Sequence, residues 1–173
     1  MTVTLVTATP EDLDRIMAIE TASFGDTAWT ASMMRQELAS EWNYYVLAIE
    51  STDGAASAVP NESSEMPTTA AALDDSESLL GYAGLRAVEK DGDVQTIAVA
   101  EHARGRGLGR RLLRNLLEEA ARRRVRSVFL DVRADNPSAR ALYESEGFIE
   151  IGVRPNYYAS VGVDAIVMKK VFS

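Results

Sequence analysis

The spacing of apolar residues in the first part of the chain predicts a short strand, two helices and a second strand. Residues 2–5 alternate in the manner of a strand. Residues 9–12 place a capping threonine before a proline suited to the first helical turn, and apolar positions then recur at helical intervals from Leu13. A second helical stretch follows residues 29–30, and residues 44–49 are rich in the aromatic and β-branched types that favour strands.

The later part of the chain predicts further strands and two more helices. The strands are expected at 79–86, 93–99, 125–132, 148–153 and 165–171, and the helices at about 107–123 and 136–147. The first of these helices carries an apolar stripe that should face the core, formed by Leu108, Leu112, Leu113, Leu116, Leu117 and Ala120. Because strands and helices do not alternate regularly, the sequence predicts a mixed α/β sheet and not a repeated βα unit.

Residues 51–79 differ in composition from the rest of the chain. Small residues, proline and acids dominate there, and large apolar residues are nearly absent. Such a segment buries too little surface to offset the conformational entropy that is lost when it becomes ordered. We therefore predict a flexible acidic insertion at 51–79 within a single domain that spans 1–173.

Composition restricts the class of protein further. The chain has 173 residues, 46% of them hydrophobic, which suits one domain with a substantial core. No apolar run is long enough for a membrane span, and the first residues lack the basic and apolar regions of a signal peptide. The absence of cysteine excludes disulfides, thiolate metal sites and a cysteine nucleophile within the chain. We expect a cytoplasmic protein with no membrane association.

Charge is distributed unevenly along the sequence. The formal net charge is −8, and residues 51–79 hold six acids and no basic residue. Residues 104–126 instead hold nine arginines against two glutamates, a local charge of +7. So many arginines on one helix are compatible with a solvated outer face, a site for a small polyanion, or a surface for nucleic acid.

A glycine-rich turn follows the strand at 96–99 and opens the long helix. Its sequence is Arg104-Gly105-Arg106-Gly107-Leu108-Gly109. Glycines allow backbone N–H groups to close around an anion, the helix N-terminus adds further donors, and the arginines, with Arg110, add full positive charges. The spacing matches neither the P-loop nor the dinucleotide-binding fingerprint. The turn therefore predicts a cradle for a pyrophosphate.

The spacing of Arg104, Gly107 and Gly109 resembles the acyl-CoA signature of the GNAT acetyltransferase superfamily. Four further segments resemble one branch of it, the ribosomal-protein-alanine N-acetyltransferases of the RimI type: 130–136, 141–148, 156–158 and 164–165. The resemblance implies the GNAT fold, with a mixed and mostly antiparallel sheet flanked by helices. It also implies acetyl-CoA as donor and, as acceptor, the α-amine of the N-terminal alanine of a small-subunit ribosomal protein, with no direct role for nucleic acid.

Acyl transfer from a thioester to an amine requires a base, donors to the oxyanion, and an acid for the departing thiolate. The resemblance makes Tyr143 the acid, with a structural core tyrosine as the alternative. Asp131 lies where the RimI type usually has a glutamate as general base; it is one methylene shorter, and a water could bridge it to the amine. Its alternative is pairing with a neighbouring arginine such as Arg133. Glu20 is a reserve base or acceptor-site residue, with an ordinary surface acid as the alternative.

The donor-binding residues also follow from the resemblance. It assigns the pantetheine arm and the acetyl carbonyl to the main chain of Ile97, Ala98 and Val99. It assigns the pyrophosphate to the turn and its flanks, formed by Arg104, Gly105, Arg106, Gly107, Leu108, Gly109 and Arg110. Asn136 is expected both to contact the donor and to cap a helix, since a cap uses only part of its hydrogen-bonding capacity.

Peptide binding is assigned by the resemblance to Tyr157, Tyr158 and Asp164, with packed structural tyrosines as the alternative. No metal site is expected, because His102 is the only histidine and acidic pairs at ligand spacing are missing. Three other functions stay open at this point: acetylation of a lysine side chain or small amine, CoA binding by a non-catalytic regulatory protein, and binding of nucleic acid by the arginine-rich helix.

Overall fold

A computed structural model of the chain describes residues 1–51 and 77–173. The helices and strands in order are β1 (Thr2–Thr7), α1 (Leu13–Phe24), α2 (Ala31–Ala39), β2 (Asn43–Ser51), β3 (Glu77–Val88), β4 (Asp91–Val99), α3 (Leu108–Arg122), β5 (Ser127–Arg133), α4 (Pro137–Ser145), β6 (Ile149–Tyr158) and β7 (Val163–Val171). Each helix and strand predicted from the apolar spacing is present. Strand β6 extends beyond its predicted end and carries both predicted peptide-binding tyrosines.

The seven strands form one sheet in the order β1-β2-β3-β4-β5-β7-β6. Neighbouring strands are antiparallel, except that β4 and β5 run parallel, which confirms a mixed and mostly antiparallel sheet. The parallel pairing joins only Asp91–Asp93 to Ser127–Phe129. Beyond these residues the two strands are no longer paired, and this separation opens a gap in the middle of the sheet.

The helices cover the two faces of the sheet with one apolar stripe each. The predicted stripe of α3 is buried and packs with Val46, Val128 and Met168 of the sheet. Apolar side chains of α1 and α2 instead pack with Leu47 and Tyr82. Val46 and Leu47 are adjacent in β2 but belong to different clusters, because successive side chains of a strand point to opposite faces.

The starts of the first two helices follow their predicted capping residues. The Thr9 N–H donates to Asp12 Oδ2 at 2.8 Å, and Pro10–Asp12 form a 3-10 turn that leads into α1. Thr30 Oγ1 accepts a hydrogen bond from the Met33 N–H at 3.2 Å at the start of α2. Within 1–51 and 77–173, the helices are all too short or too polar to cross a membrane.

The ends of the predicted insertion at 51–79 are strand residues. Ser51 closes β2, and Glu77–Leu79 open β3, with Ser51 opposite Glu77 and Ile49 opposite Leu79. The predicted boundaries were wrong here, because backbone pairing extends this hairpin into residues whose side chains carry no strand pattern. The remainder of the predicted insertion, 52–76, lies outside the described residues, and the single domain with an insertion stays a prediction.

Candidate functional site

The gap between β4 and β5 holds two adjoining cavities. The smaller cavity has a volume of about 220 Å³ and is bounded by α1, the segment between α1 and α2, both strands, and α4. The larger cavity has a volume of about 460 Å³ and lies against β4, β5, β6 and β7. Six residues line both cavities, so the two are adjacent: Trp29, Val94, Gln95, Leu130, Asp131 and Tyr158.

The main chain of β4 borders the gap on one side. Ile97 lines the smaller cavity. Residues 97–99 all pair with β3 on the other edge of the strand, where they lie opposite Ala83, Tyr82 and Gly81. Beyond Asp93, the edge of β4 that faces β5 has no strand partner among the described residues. This edge therefore offers main-chain donors and acceptors to a ligand, and the assignment of residues 97–99 to the acetyl donor stays a prediction.

Tyr143 lies on α4 and lines the smaller cavity. Its ring packs edge-to-face against Phe148, with ring centroids 6.0 Å apart. Burial raises the pKa of Tyr143 to about 12. The phenol therefore stays neutral at physiological pH and is able to donate a proton into the cavity.

Asp131 lies on β5 and lines both cavities. The Arg154 Nε donates to Asp131 Oδ1 at 3.3 Å. The alternative that Asp131 pairs with an arginine therefore holds, but with Arg154. The suggested partner Arg133 was wrong, because a turn after β5 brings the Asp135 carboxylate to the Arg133 guanidinium at 2.8 and 2.9 Å. Across the gap, burial and then the Asp131 carboxylate raise the pKa of Asp93.

Glu20 is buried, with 1% of its surface exposed, so the alternative of a surface acid was wrong. It lies one helical turn after Ile16, on the apolar side of α1 that faces the sheet. Its Oε1 accepts from the Trp29 N–H at 2.8 Å, and its Oε2 accepts from the Tyr82 hydroxyl. Glu20 also lines the smaller cavity, so the helix places a carboxylate beside the gap.

The glycine turn has the backbone expected of an anion cradle. Gly105 and Gly107 have φ values of +77° and +74°, which favour glycine, and a Cβ on either would project into open space. The Arg111 N–H donates to the Gly107 carbonyl at 3.1 Å, so the N–H groups of 108–110 precede the first bond of α3. The side chain of Leu108 is buried, which leaves only its main chain for a ligand.

The predicted arginines are held by neighbouring groups of the chain. Arg104 Nε donates to the Val99 carbonyl at 3.2 Å, and Arg106 pairs with Glu50 at 2.6 Å. Arg110 donates to Ser145 Oγ at 2.8 Å and pairs with Glu146. Surface pairs of this kind are weak, so a pyrophosphate with its two negative charges is able to displace them.

Asn136 has the predicted double position. Its Oδ1 accepts from the Ala139 N–H at 3.1 Å, which confirms the helix cap at the start of α4. The same residue lines the smaller cavity, where its amide group keeps unused hydrogen-bonding capacity. Contact with the donor stays a prediction.

The two hairpin tyrosines lie at the larger cavity, but Asp164 does not. The rings of Tyr157 and Tyr158 pack edge-to-face with centroids 5.2 Å apart, and Arg154 and Arg133 stack on them at 5.9 and 5.3 Å. Asp164 Oδ1 instead accepts from the N–H of Asn156, whose φ is +51°, at 2.6 Å. Asp164 thus supports the irregular backbone that presents the tyrosines.

Several cavity residues were not predicted from the sequence: Trp29, Asp93, Gln95, Thr96 and Arg154. The sequence pattern places Trp29 only just before a predicted helix and gives no sign that it lines a cavity. Asp93 of β4 and Arg154 of β6 line the same cavity, although two strands lie between β4 and β6 in the sheet, an arrangement that no local pattern reveals.

Comparison with known proteins decides the family. Residues 18–148, more than half of the chain, match the model of the acetyltransferase (GNAT) family. The chain belongs to the GNAT family. It is 36% identical to the N-alpha-acetyltransferase RimI of Mycobacterium tuberculosis, over 97% of this chain and 92% of that protein. Members of the GNAT family use acetyl-CoA as the acetyl donor.

Two further similarities extend the comparison of this GNAT chain. An uncharacterized protein of Mycobacterium leprae is 38% identical over 95% of the chain, which spans only 39% of that protein's length. The crystal structure of the ribosomal-protein-S18-alanine N-acetyltransferase from Escherichia coli has a TM-score of 0.77 and 27% identity, covering 99% of this chain and 95% of that one. The GNAT fold implied by the sequence is therefore confirmed.

The residues present fit acetyl-CoA. The open space at Gly105 and Gly107, with the N–H groups that begin α3, suits the pyrophosphate, and the unpaired edge of β4 suits the pantetheine amides. The smaller cavity lies beyond that edge and contains Tyr143. The chemistry supplied by the bound donor is a thioester with an activated acetyl group.

Replacing Gly107 by alanine is expected to raise the Kd for acetyl-CoA about tenfold, a change of about 1.4 kcal/mol. The new Cβ would occupy the open space beside the turn, and a left-handed backbone strains an alanine. Gly162→Ala is the matched control, because Gly162 has a φ of +65° and open space but lies outside the turn. Isothermal calorimetry should show a weaker Kd for Gly107→Ala alone; equal Kd values in both variants would contradict the cradle.

Proposed function

We propose that this GNAT chain transfers the acetyl group of acetyl-CoA to the N-terminal α-amine of a protein, with an alanine-first small-subunit ribosomal protein as the acceptor. The observation that carries the proposal is the pair of adjoining cavities. The smaller contains the acid Tyr143, and the larger is bordered by the tyrosines of β6. The name of the Mycobacterium tuberculosis relative supports an α-amine as acceptor, and the name of the Escherichia coli protein supports an alanine-first ribosomal protein.

The acceptor amine reacts at the junction of the two cavities. Its nitrogen forms a bond to the acetyl carbon and must first lose a proton, since only the neutral amine is a nucleophile. Asp131 lines both cavities and is the proposed acceptor of that proton, through a bridging water. The Arg154 Nε donates to Asp131 Oδ1 at 3.3 Å and orients the carboxylate.

The departing sulfur needs a proton when the carbon–sulfur bond breaks. Tyr143 is held neutral by burial and lies in the smaller cavity, so it is the proposed donor. Transfer from a phenol to a thiolate is energetically uphill, and the fixed position of the tyrosine beside the cavity compensates for part of that cost. The reaction needs no covalent intermediate on the protein, in agreement with the lack of cysteine.

The size of the larger cavity, where the acceptor is proposed to bind, favours an α-amine over a lysine side chain. An N-terminal amine carries a side chain and a peptide backbone on the adjacent carbon, whereas a lysine amine arrives on a slender methylene chain. The larger cavity, about 460 Å³, is lined by Trp29, Tyr157 and Tyr158, which provide flat apolar walls with polar edges. The charged residues that line this cavity are Asp93, Asp131 and Arg154, and their net negative charge attracts an ammonium group.

The first test is thiol release from acetyl-CoA with peptides that differ only in the first residue. We expect kcat/KM to be highest for a free N-terminal alanine, compared with serine, glycine and methionine. Each peptide has an N-blocked, lysine-containing counterpart as control, and these should be inactive. Turnover of the blocked peptides would move the assignment to lysine acetylation, and no turnover on any peptide would contradict the proposed acceptor class.

A further inference from the structure

Glu20 is a buried carboxylate without a cationic partner among the described residues. It is 1% exposed, and both of its oxygens accept hydrogen bonds from neutral groups, the Trp29 N–H and the Tyr82 hydroxyl. Burying a carboxylate costs several kcal/mol unless hydrogen bonds compensate. A buried carboxylate in the wall of a cavity therefore indicates a role in the site and not only in packing.

The hydrogen bonds of Glu20 connect the sheet to the segment between α1 and α2. Tyr82 lies on β3, Glu20 on α1, and Trp29 nine residues further along the chain. The other hydrogen bonds of this segment are local: the Thr27 hydroxyl donates to the Phe24 carbonyl at 2.8 Å, and the Ala28 N–H donates to the Gly25 carbonyl at 3.1 Å. Glu20 therefore ties Trp29 to a rigid element.

Trp29 lies where this connection affects the site. It lines both cavities, at their junction, and faces the strands that carry Asp131 and Tyr158. A shift of Trp29 would change the width of the passage between the two cavities. We expect the acceptor peptide to experience that change, whereas the glycine turn that begins α3 does not line either cavity.

We propose that Glu20 is a positioning residue that fixes Trp29 through its main-chain N–H and thereby sets the affinity for the acceptor peptide. The inference rests on the proposed function, because it takes the junction of the cavities as the place where the acceptor binds. In this role, Glu20 needs a side chain that is long enough to contact Trp29 and Tyr82 and that has an oxygen to accept the hydrogen bond from the Trp29 N–H. A role as base or as ammonium ligand would instead depend on its negative charge.

Two substitutions distinguish the effect of the length of the Glu20 side chain from the effect of its negative charge. Glu20→Gln keeps the carbonyl oxygen that accepts from Trp29, and its amide is able to donate to the Tyr82 oxygen. Glu20→Asp keeps the charge but is one methylene shorter, so it cannot hold both partners. We expect Glu20→Gln to keep the peptide KM within about threefold and Glu20→Asp to raise it at least about tenfold, a loss of about 1.4 kcal/mol.

The KM for acetyl-CoA is expected to stay at the wild-type value in both variants. The opposite order, with Glu20→Asp active and Glu20→Gln impaired, would overturn the inference in favour of a charge role. Equal peptide KM values in the two variants, whether normal or raised, would overturn it as well. Tyr82→Phe removes the other partner of Glu20 but leaves the bond to Trp29. It should therefore lower the Tm of the protein and leave the peptide KM close to the wild-type value.

A readout without catalysis keeps this inference separate from the proposed function. The chain has two tryptophans, and Trp42 is half-exposed, so Trp42→Phe leaves Trp29 as the sole tryptophan reporter. In that background, we expect Glu20→Asp to shift the Trp29 emission to longer wavelength and Glu20→Gln to leave it unchanged. An unchanged emission in both would overturn the positioning role, whereas a wild-type protein inactive on every peptide would overturn only the proposed acceptor.

Discussion

Replacing Tyr143 by phenylalanine is expected to lower kcat by about 10²- to 10⁴-fold, the range usual for loss of a general acid. The substitution keeps the ring that packs on Phe148 and removes only the hydroxyl in the smaller cavity. The Kd for acetyl-CoA should therefore stay within about twofold, since the glycine turn and the β4 edge are intact. Pre-steady-state and steady-state thiol release would measure the effect.

Tyr44→Phe is the matched control for this prediction. The Tyr44 hydroxyl donates to Asn115 Oδ1 at 2.9 Å and does not line either cavity. Its loss should cost about 1 kcal/mol of unfolding free energy and leave kcat unchanged. A Tyr143→Phe variant with the kcat of Tyr44→Phe would show that Tyr143 is a structural residue.

The pH profile of kcat follows from the raised pKa of Tyr143. Because burial raises this pKa to about 12, the proton-carrying form dominates at every lower pH. We therefore expect no loss of kcat from deprotonation of Tyr143 as the pH rises from about 7 to about 10. A fall of kcat in that range that disappears in Tyr143→Phe would contradict the burial of this phenol.

Replacing Asp131 by asparagine is expected to lower kcat/KM for the peptide about 10²-fold at neutral pH, the lower end of the general-base range. The asparagine keeps the size of the side chain but cannot accept the amine proton. Raising the pH toward about 9 should recover part of the activity, because more of the acceptor amine is then already neutral. That partial recovery distinguishes a lost base from a distorted site.

Two companion variants sharpen the test of Asp131. Asp131→Glu restores the residue usual in the RimI type and should keep or raise the activity, since its longer side chain reaches the amine without a bridging water. Asp135→Asn removes an exposed acid that pairs with Arg133, two residues beyond β5, and should leave kcat/KM unchanged. Equal activities for Asp131→Asn and Asp135→Asn would contradict the assigned base.

The fold and the donor side of the site were predictable because their signals are local. The apolar stripe of α3 and the glycine turn before it are each contained in a short stretch of sequence, and the structure places both where the pattern predicts. The cap formed by Asn136 is local in the same way. Each feature depends on helical spacing or on the conformational freedom of glycine, which a single sequence reveals.

The partners of the charged residues were not predictable, since they depend on long-range sheet order. Arg106 pairs with Glu50 from β2, and Arg154 of β6 reaches Asp131 of β5 across the intervening strand β7. Burial of Glu20 is an intermediate case. Its position one turn after Ile16 indicated the apolar face of α1, but its hydrogen bond with Tyr82 requires knowledge of β3.

The most direct test of the account is the position of the acetyl group on a single peptide that offers both kinds of amine. The peptide would begin with a free alanine and contain one internal lysine, and tandem mass spectrometry would locate the added acetyl group after incubation with acetyl-CoA and the wild-type protein. The two-cavity site predicts acetylation of the α-nitrogen and an unmodified lysine. Acetyl on the lysine, with the α-amine free, would contradict the central claim that the larger cavity receives a protein N-terminus.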